Sequence, residues 1–192
     1  GKIRAIGVCN FGVRDLSDML ALGECETDQL SYSLVWRAVE HEIRPVCVEK
    51  GVGIICYSPL FQGLLTGQFA SADEVPEGRS RSRLYSSSRP GSGHSDPGCE
   101  AEVFAAVDQV RRIAEGLGEP MAAVALSWVR QQPGVTSLLV GARTPEEIEQ
   151  NVRSVDLTLS EETMRELTEA SEETKEKLGT NPDMWMSKSR MR

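Results

Sequence analysis

GIICYSPL, residues 53–60, runs an uncharged apolar stretch straight into a tyrosine, a serine and a proline, ahead of a helix-like segment. Such a run suits a buried strand of a parallel sheet. Its far end carries a cluster of ligand-type groups, Tyr57, Ser58 and Leu60 with its backbone. The pattern recurs along the chain: Cys9-Asn10 ends residues 3–8, Gln29 lies in residues 28–34, and Gly141-Ala142-Arg143 follows residues 136–140. In a parallel α/β protein the carboxyl ends of the strands form the face on which ligands bind. One functional group per strand exit is how a (β/α) barrel assembles a binding site.

Between these strands the spacing turns helical. Val13, Leu16, Met19, Leu20 and Leu22 share a face, with Asp15 near the start and Gly23 at the end. Residues 37–50 read as a helix whose regular part begins near Pro45 and which Gly51 closes. Residues 60–69 read as a turn into a short helix, 100–117 as a helix ended by Gly118, and 120–132 as another stopped by Pro133-Gly134. Thr144, Pro145 and Glu147 fit N-cap, N1 and N3 of a capping box, and Ser160 opens a last helix through residue 178.

Four strands, each followed by helix, predict a parallel sheet with right-handed crossovers. Four are too few to close a barrel. The expected fold is α/β of (β/α)8 TIM-barrel type, represented by its carboxyl-terminal half: strands 5–8, their helices and a tail. Residues 1–192 then form one partial domain. Residues 71–99, rich in Ser, Arg, Gly and Pro, are expected to be a long flexible, structureless loop, and 179–192 an irregular tail with an exposed Trp185.

Composition narrows the function. A complete barrel takes about 250 residues, whereas this chain has 192 and opens, without Met, on a strand-like stretch; a fragment or shortened product is the expectation. The net charge of −8 argues against nucleic acid or an anionic membrane as partner. The acid is densest in residues 160–178, a solvated helix face, while Arg79, Arg81 and Arg83 make a local basic patch. Five cysteines in odd number without CxxC spacing fit neither a zinc site nor a disulfide framework. No run approaches the roughly 20 apolar residues of a membrane span, so a reduced, soluble, cytoplasmic protein is expected.

Asn10 and Gln29 each offer a donor and an acceptor, which suits a carboxamide partner. Tyr57 ends the most buried strand, where its ring can stack on a planar heterocycle. Residues 58–63 place hydroxyl and backbone donors beside a helix-like start, a plausible phosphate cradle. Residues 141–145 do the same, with Arg143 available to an anion and a capped helix behind it. Singly, each is also what an ordinary turn or core residue looks like. Together, at successive strand exits, they point to one site.

Four segments carry a resemblance: GKIRAIGVCNF (1–11), YSPLFQGLLTGQF (57–69), LLVGARTPEEIEQN (138–151) and GTNPDMW (179–185). By them the chain resembles, over nearly its whole length, the carboxyl-terminal half of an aldo-keto reductase, a nicotinamide-dependent barrel oxidoreductase. The resemblance implies that Asn10 and Gln29 hold the nicotinamide carboxamide, with Cys9 where a serine is usual, and that Tyr57 stacks on the ring. Ser58, Leu60 and Gly63 would lie along the pyrophosphate. Gly141, Arg143, Glu147, Gln150 and Asn151 would surround the adenosine end, and Arg79 or Arg81 would belong to a loop folding over the cofactor.

NADP(H) is expected ahead of NAD(H), although Glu147, where many relatives carry Arg or Gln, would repel a 2′-phosphate. Gln150 replaces a frequent Glu, and Gln68 stands where some relatives have Lys. Nothing resembles the family's Asp/Tyr/Lys/His tetrad; Tyr32, Tyr57, Tyr85, His41 and His94 lack its setting. The implied activity is NAD(P)H-dependent reduction of aldehydes and ketones to alcohols, with a small-molecule carbonyl substrate and an inactive isolated chain. The alternatives are a non-catalytic nicotinamide-binding regulatory subunit, similar to potassium-channel beta subunits, or an inactive truncated product. Unpaired sheet edges predict a homo-oligomer.

Overall fold

Gly53–Tyr57 forms a strand with the bounds expected from sequence, at the inside of a four-stranded parallel sheet. In the computed structural model, which describes residues 1–192, the order along the chain is β1 (Gly7–Cys9), α1 (Val13–Leu22), β2 (Thr27–Ser31), α2 (Ile43–Lys50), β3 (Gly53–Tyr57), α3 (Glu100–Leu117), α4 (Met121–Arg130), β4 (Val135–Leu139), α5 (Pro145–Asp156), α6 (Glu161–Ala170) and α7 (Glu172–Leu178). The sheet order is β1-β2-β3-β4, every pair parallel. Cys9 aligns with Gln29, and Ser31 with Tyr57, so the strand exits form one rim.

The sheet is buried mainly on one face, the other being covered only where the tail meets Ser31. Leu30, Ile54 and Cys56 are fully buried with Leu16 and Cys47 of the helices, while Gln29, Ile55 and Tyr57 on the opposite face are half-buried. Burial of β3 on both faces was the expectation; four strands do not wrap far enough to enclose the second face. The core continues outward through Trp36, stacked on Phe61 at 5.8 Å between ring centroids, and Trp128, which meets the edge of Tyr32 at 5.7 Å.

Several element expectations are corrected by tertiary context. The buried strand over residues 3–8 is only the three residues of β1, and Ile3 and Ile6 are 70% and 44% exposed, because β1 is an edge with a neighbour on one side. The helix over 37–50 begins as a 3-10 turn, Ala38–Glu40, and becomes α-helical at Ile43–Lys50. Pro45 falls in the first turn, where no backbone donor is missed. The helix over 160–178 breaks at Ser171, whose hydroxyl bonds back to the carbonyls of Leu167 and Thr168.

Residues 71–99 are not structureless. They hold two 3-10 turns, Ala72–Glu74 and Glu77–Arg79, and bury Ser80, Ser82, Leu84 and Tyr85. Arg83 organises the segment: buried itself, it pairs with Asp96 and donates to the carbonyls of Leu178 (3.2 Å), Asn181 (2.9 Å) and Asp183 (3.3 Å). The tail beyond α7 has no regular element, yet Met184 is buried against Ser31, and Trp185 is half-buried rather than exposed.

Candidate ligand-binding site

The exits of β1 and β3 hold all four non-glycine residues with positive φ: Asn10 (57°), Ser58 (53°), Phe61 (43°) and Gln62 (56°). Left-handed backbone at such residues costs about 1–3 kcal/mol each and concentrates at functional sites. Gly63 comes next at φ 89°, and a Cβ there would lie 2.3 Å from Nε2 of Gln68. The dihedral is what favours glycine there, since the Gln68 amide is the end of a flexible side chain that can move aside. Its carbonyl accepts from Thr66 (2.7 Å) and Gln68 (3.2 Å), which fixes the turn.

This turn floors a cavity of about 760 Å³, within the range of small-molecule sites. Ser58, Leu60 and Gly63 line one side, and Gly141, Arg143, Glu147, Gln150 and Asn151 the other. Eight of the thirteen residues named from sequence therefore meet in one place. Gly141 is exposed, with nothing within 4 Å of where a Cβ would stand, so the fold itself does not demand glycine there.

Arg79, not Arg81, belongs to this cavity. Arg81 is exposed and lays its aliphatic chain against Gly91. The two arginines alternate with serines, so sequence offered both; the 3-10 turn Glu77–Arg79 decides between them by turning Arg79 inward, its Nη1 3.6 Å from where a Gly63 Cβ would stand. The Arg79 side chain has no carboxylate or hydrogen-bond partner and is half-buried, an uncommitted cation in a cradle.

Arg143 is committed. Its guanidinium pairs with Glu147 at 2.9 Å, and its N–H donates to the same carboxylate at 2.7 Å. That backbone bond, then the guanidinium, holds the Glu147 carboxyl below its usual range. Thr144 caps α5 as the sequence predicts, accepting from the N–H of Glu147 at 3.3 Å. The reciprocal half of the box differs: Glu147 reaches Arg143 rather than the N-cap.

Cys9, Asn10, Gln29 and Tyr57 gather elsewhere on the rim, at the ends of β1, β2 and β3, and do not line the cavity. The Tyr57 hydroxyl donates to Oδ1 of Asn10 at 3.0 Å. Burial pushes the Tyr57 phenol up, opposed by its bond to Asn10. Cys9 is exposed, and Gln29 is half-buried opposite it.

The tail completes the rim, a contribution the sequence did not reveal beyond the DMW signature. Asp183, 4% exposed, pairs with Arg190 at 2.6 Å, and both charges act on the Tyr57 phenol. Arg192 pairs with Asp15 at 2.7 Å, fastening the last residue to the start of α1. Together the rim can hold an anion at Arg79 and a planar amide near Asn10 and Gln29.

Comparison with known proteins identifies the family and the fold. The sequence model described as "Aldo/keto reductase family" matches residues 1–172. The NADH-specific methylglyoxal reductase of Escherichia coli is 33% identical over 175 residues, 90% of this chain and 51% of that protein. Protein tas of the same organism is 39% identical over 173 residues, 87% of this chain and 47% of its own. Among solved structures, the glycerol dehydrogenase of Gluconobacter oxydans superposes with a TM-score of 0.74 at 27% identity, over 95% of this chain and 52% of that one. The chain thus spans about half the length of the relatives it matches.

Proposed function

Because the chain belongs to the aldo/keto reductase family, we propose that it provides the nicotinamide-cofactor half of an oxidoreductase acting on small aldehydes or ketones. The observation that carries this is the uncommitted Arg79 beside the Gly63 turn, in a cavity of dinucleotide-binding size. The residues fit such a cofactor: a left-handed turn that ends on a glycine and carries the Ser58 hydroxyl, the Arg79 cation beside it, and a capped helix N-terminus opposite. When bound, the cofactor supplies the hydride.

Each part of the rim has a task in this reading. Arg79, Ser58, Leu60 and Gly63 hold the pyrophosphate. Arg143, Glu147, Gln150 and Asn151 enclose the adenosine. Cys9, Asn10, Gln29 and Tyr57 orient the nicotinamide, Asn10 and Gln29 through their amides and Tyr57 through its ring. The Tyr57 proton is already donated to Asn10, and no tyrosine–lysine pair stands at the rim to protonate a developing alkoxide. The isolated chain therefore binds cofactor without turning over substrate.

Selectivity between cofactors is weak in this reading. Arg143 would favour a 2′-phosphate, but its pairing with Glu147 leaves no free cation for one. NADH binds about as well as NADPH in this reading, whereas the E. coli relative is named as NADH-specific. We place the protein in the cytoplasm, a reading supported by five free cysteines, four of them buried. No helix is long and apolar enough to cross a membrane.

Fluorescence titration with NADH and NADPH tests the proposal. Binding of both is expected, with Arg79→Ala weakening each roughly tenfold. Absence of binding by the folded chain would refute the cofactor assignment. Reduction of methylglyoxal by the isolated chain would refute the claim that it lacks a proton donor.

A further inference from the structure

Asp28 is the one carboxyl of the sheet buried on its helix-covered face. It sits on β2 between Val8 of β1 and Ile54 of β3, and it is 0% exposed. Oδ1 accepts from the N–H of Phe11 at 3.4 Å, and Oδ2 has no partner. No cation answers it. On α2, Arg44 bonds to Tyr32 and Gln132 while Lys50 pairs with Glu49, and on α1 Arg14 is exposed. The other charges of α1 are Asp15, tied to Arg192, and the exposed Asp18.

The titratable groups around it are thiols. Cys47 of α2 is pushed up by burial and then by the Asp28 charge, and the exposed Cys9 of β1 is raised in the same direction by partial desolvation and then by that charge. Cys56 of β3, on the same buried face, is pushed up by burial alone to about 12. Burial pushes the Asp28 carboxyl itself up to about 7, partly opposed by the N–H groups of Phe11 and Asn10. It changes charge near neutrality.

What Asp28 touches is the turn that aims Asn10. That turn puts Asn10 in the left-handed region at φ 57°, with Oδ1 3.0 Å from the Tyr57 hydroxyl. The Asn10 N–H bonds sideways to the Gln29 carbonyl at 3.0 Å, and Asp28 holds the same turn from below through Phe11. A left-handed asparagine keeps its aim only while its neighbours hold it there.

We propose that Asp28 is a positioning residue for Asn10: its carboxylate grips the turn at residues 10–11, and loss of that charge loosens the amide presented at the rim. Bonds to a carboxylate are stronger than bonds to a neutral carboxyl, so the turn tightens as pH rises through neutrality. The effect on ligand rests on the cofactor reading above, whereas the grip does not.

NMR on the intact chain tests the grip without ligand. The Asp28 carboxyl carbon, the Phe11 amide and the Asn10 side-chain amide are expected to titrate together near pH 7. In Asp28→Asn, which still accepts a hydrogen bond but carries no charge, both amide titrations vanish. NADH affinity is then expected to be roughly fivefold tighter at pH 8 than at pH 6 in the natural chain, and flat in Asp28→Asn. An Asp28 titration that leaves both amides unmoved overturns the proposal, as does tighter binding at the lower pH. Co-titration without NADH binding at either pH upholds the grip and sinks the cofactor reading. Should Asp28→Asn fail to fold, co-titration in the natural chain decides.

Discussion

Asp28 also has an effect on folding, and its sign is set by the direction of its shift. Its carboxyl titrates at about 7 in the fold, against about 3.9 in an unfolded chain. The folded state therefore holds the proton more tightly. Its contribution to stability is fully present below about pH 4 and is lost as pH rises through 7, at up to about 1.4 kcal/mol per pH unit. Urea denaturation between those limits is expected to show the natural chain losing stability relative to Asp28→Asn; a constant difference would mean the carboxyl is not buried unpaired. At the cavity, Glu147→Gln frees Arg143. NADPH affinity is expected to rise roughly threefold relative to NADH, an effect that salt removes because the pair is exposed. An unchanged ratio would show that neither side chain meets the 2′ position.

Arg37 ties elements that are far apart in sequence. It is 2% exposed and grips Glu40 with two bonds of 2.9 and 2.8 Å, while also donating to the Thr168 carbonyl (2.8 Å) and the Ser171 hydroxyl (3.1 Å) and pairing with Glu172 (2.9 Å). The loop after β2 is thereby fastened to the α6–α7 junction. Arg37→Leu takes from Glu40 its two shortest charged bonds, leaving it the Tyr32 hydroxyl at 2.7 Å and the more distant Lys175 (3.6 Å) and Arg44 (3.8 Å), and is expected to cost about 1–3 kcal/mol; Glu40→Leu added to it should restore part of that. A loss under about 1 kcal/mol in the single variant would mean that the network adds little to the packing around Trp128. None of this was visible in sequence, where residues 37–50 looked like one charged helix. What was visible depends on local chemistry: β3 and α3 match their expected bounds, and Thr144 caps α5, because apolar period, glycine stops and cap residues act within a few positions. Residues 71–99 were misread because Arg83 finds its acceptors about a hundred positions away. The site was legible to the same degree. Its strand-exit residues announce themselves, but the inward turn of Arg79 and the covering tail are set by tertiary contacts.

At the scale of the whole molecule, the four-stranded sheet ends in two open edges, since β1 pairs only with β2 and β4 only with β3. In a closed barrel each would have a second neighbour. The apolar surface is disposed accordingly. Leu139 of β4 is 46% exposed, and Ile148, Val152 and Val155 of α5 are 55%, 56% and 60% exposed, the three α5 residues lining, with Leu138 of β4, a groove of about 360 Å³ between strand and helix. Full burial of one such side chain is worth about 1.5–3 kcal/mol, and an unpaired parallel edge adds backbone donors and acceptors that seek partners. The chain on its own is therefore expected to self-associate through these edges. Sedimentation velocity should show a concentration-dependent dimer, and Val152→Asp, which leaves the buried core untouched, should shift it to monomer while circular dichroism stays the same. A natural chain that sediments as a well-folded monomer at high concentration would show that four strands with their helices hold together without cover, and the open edges would then be no barrier to a half-barrel standing alone.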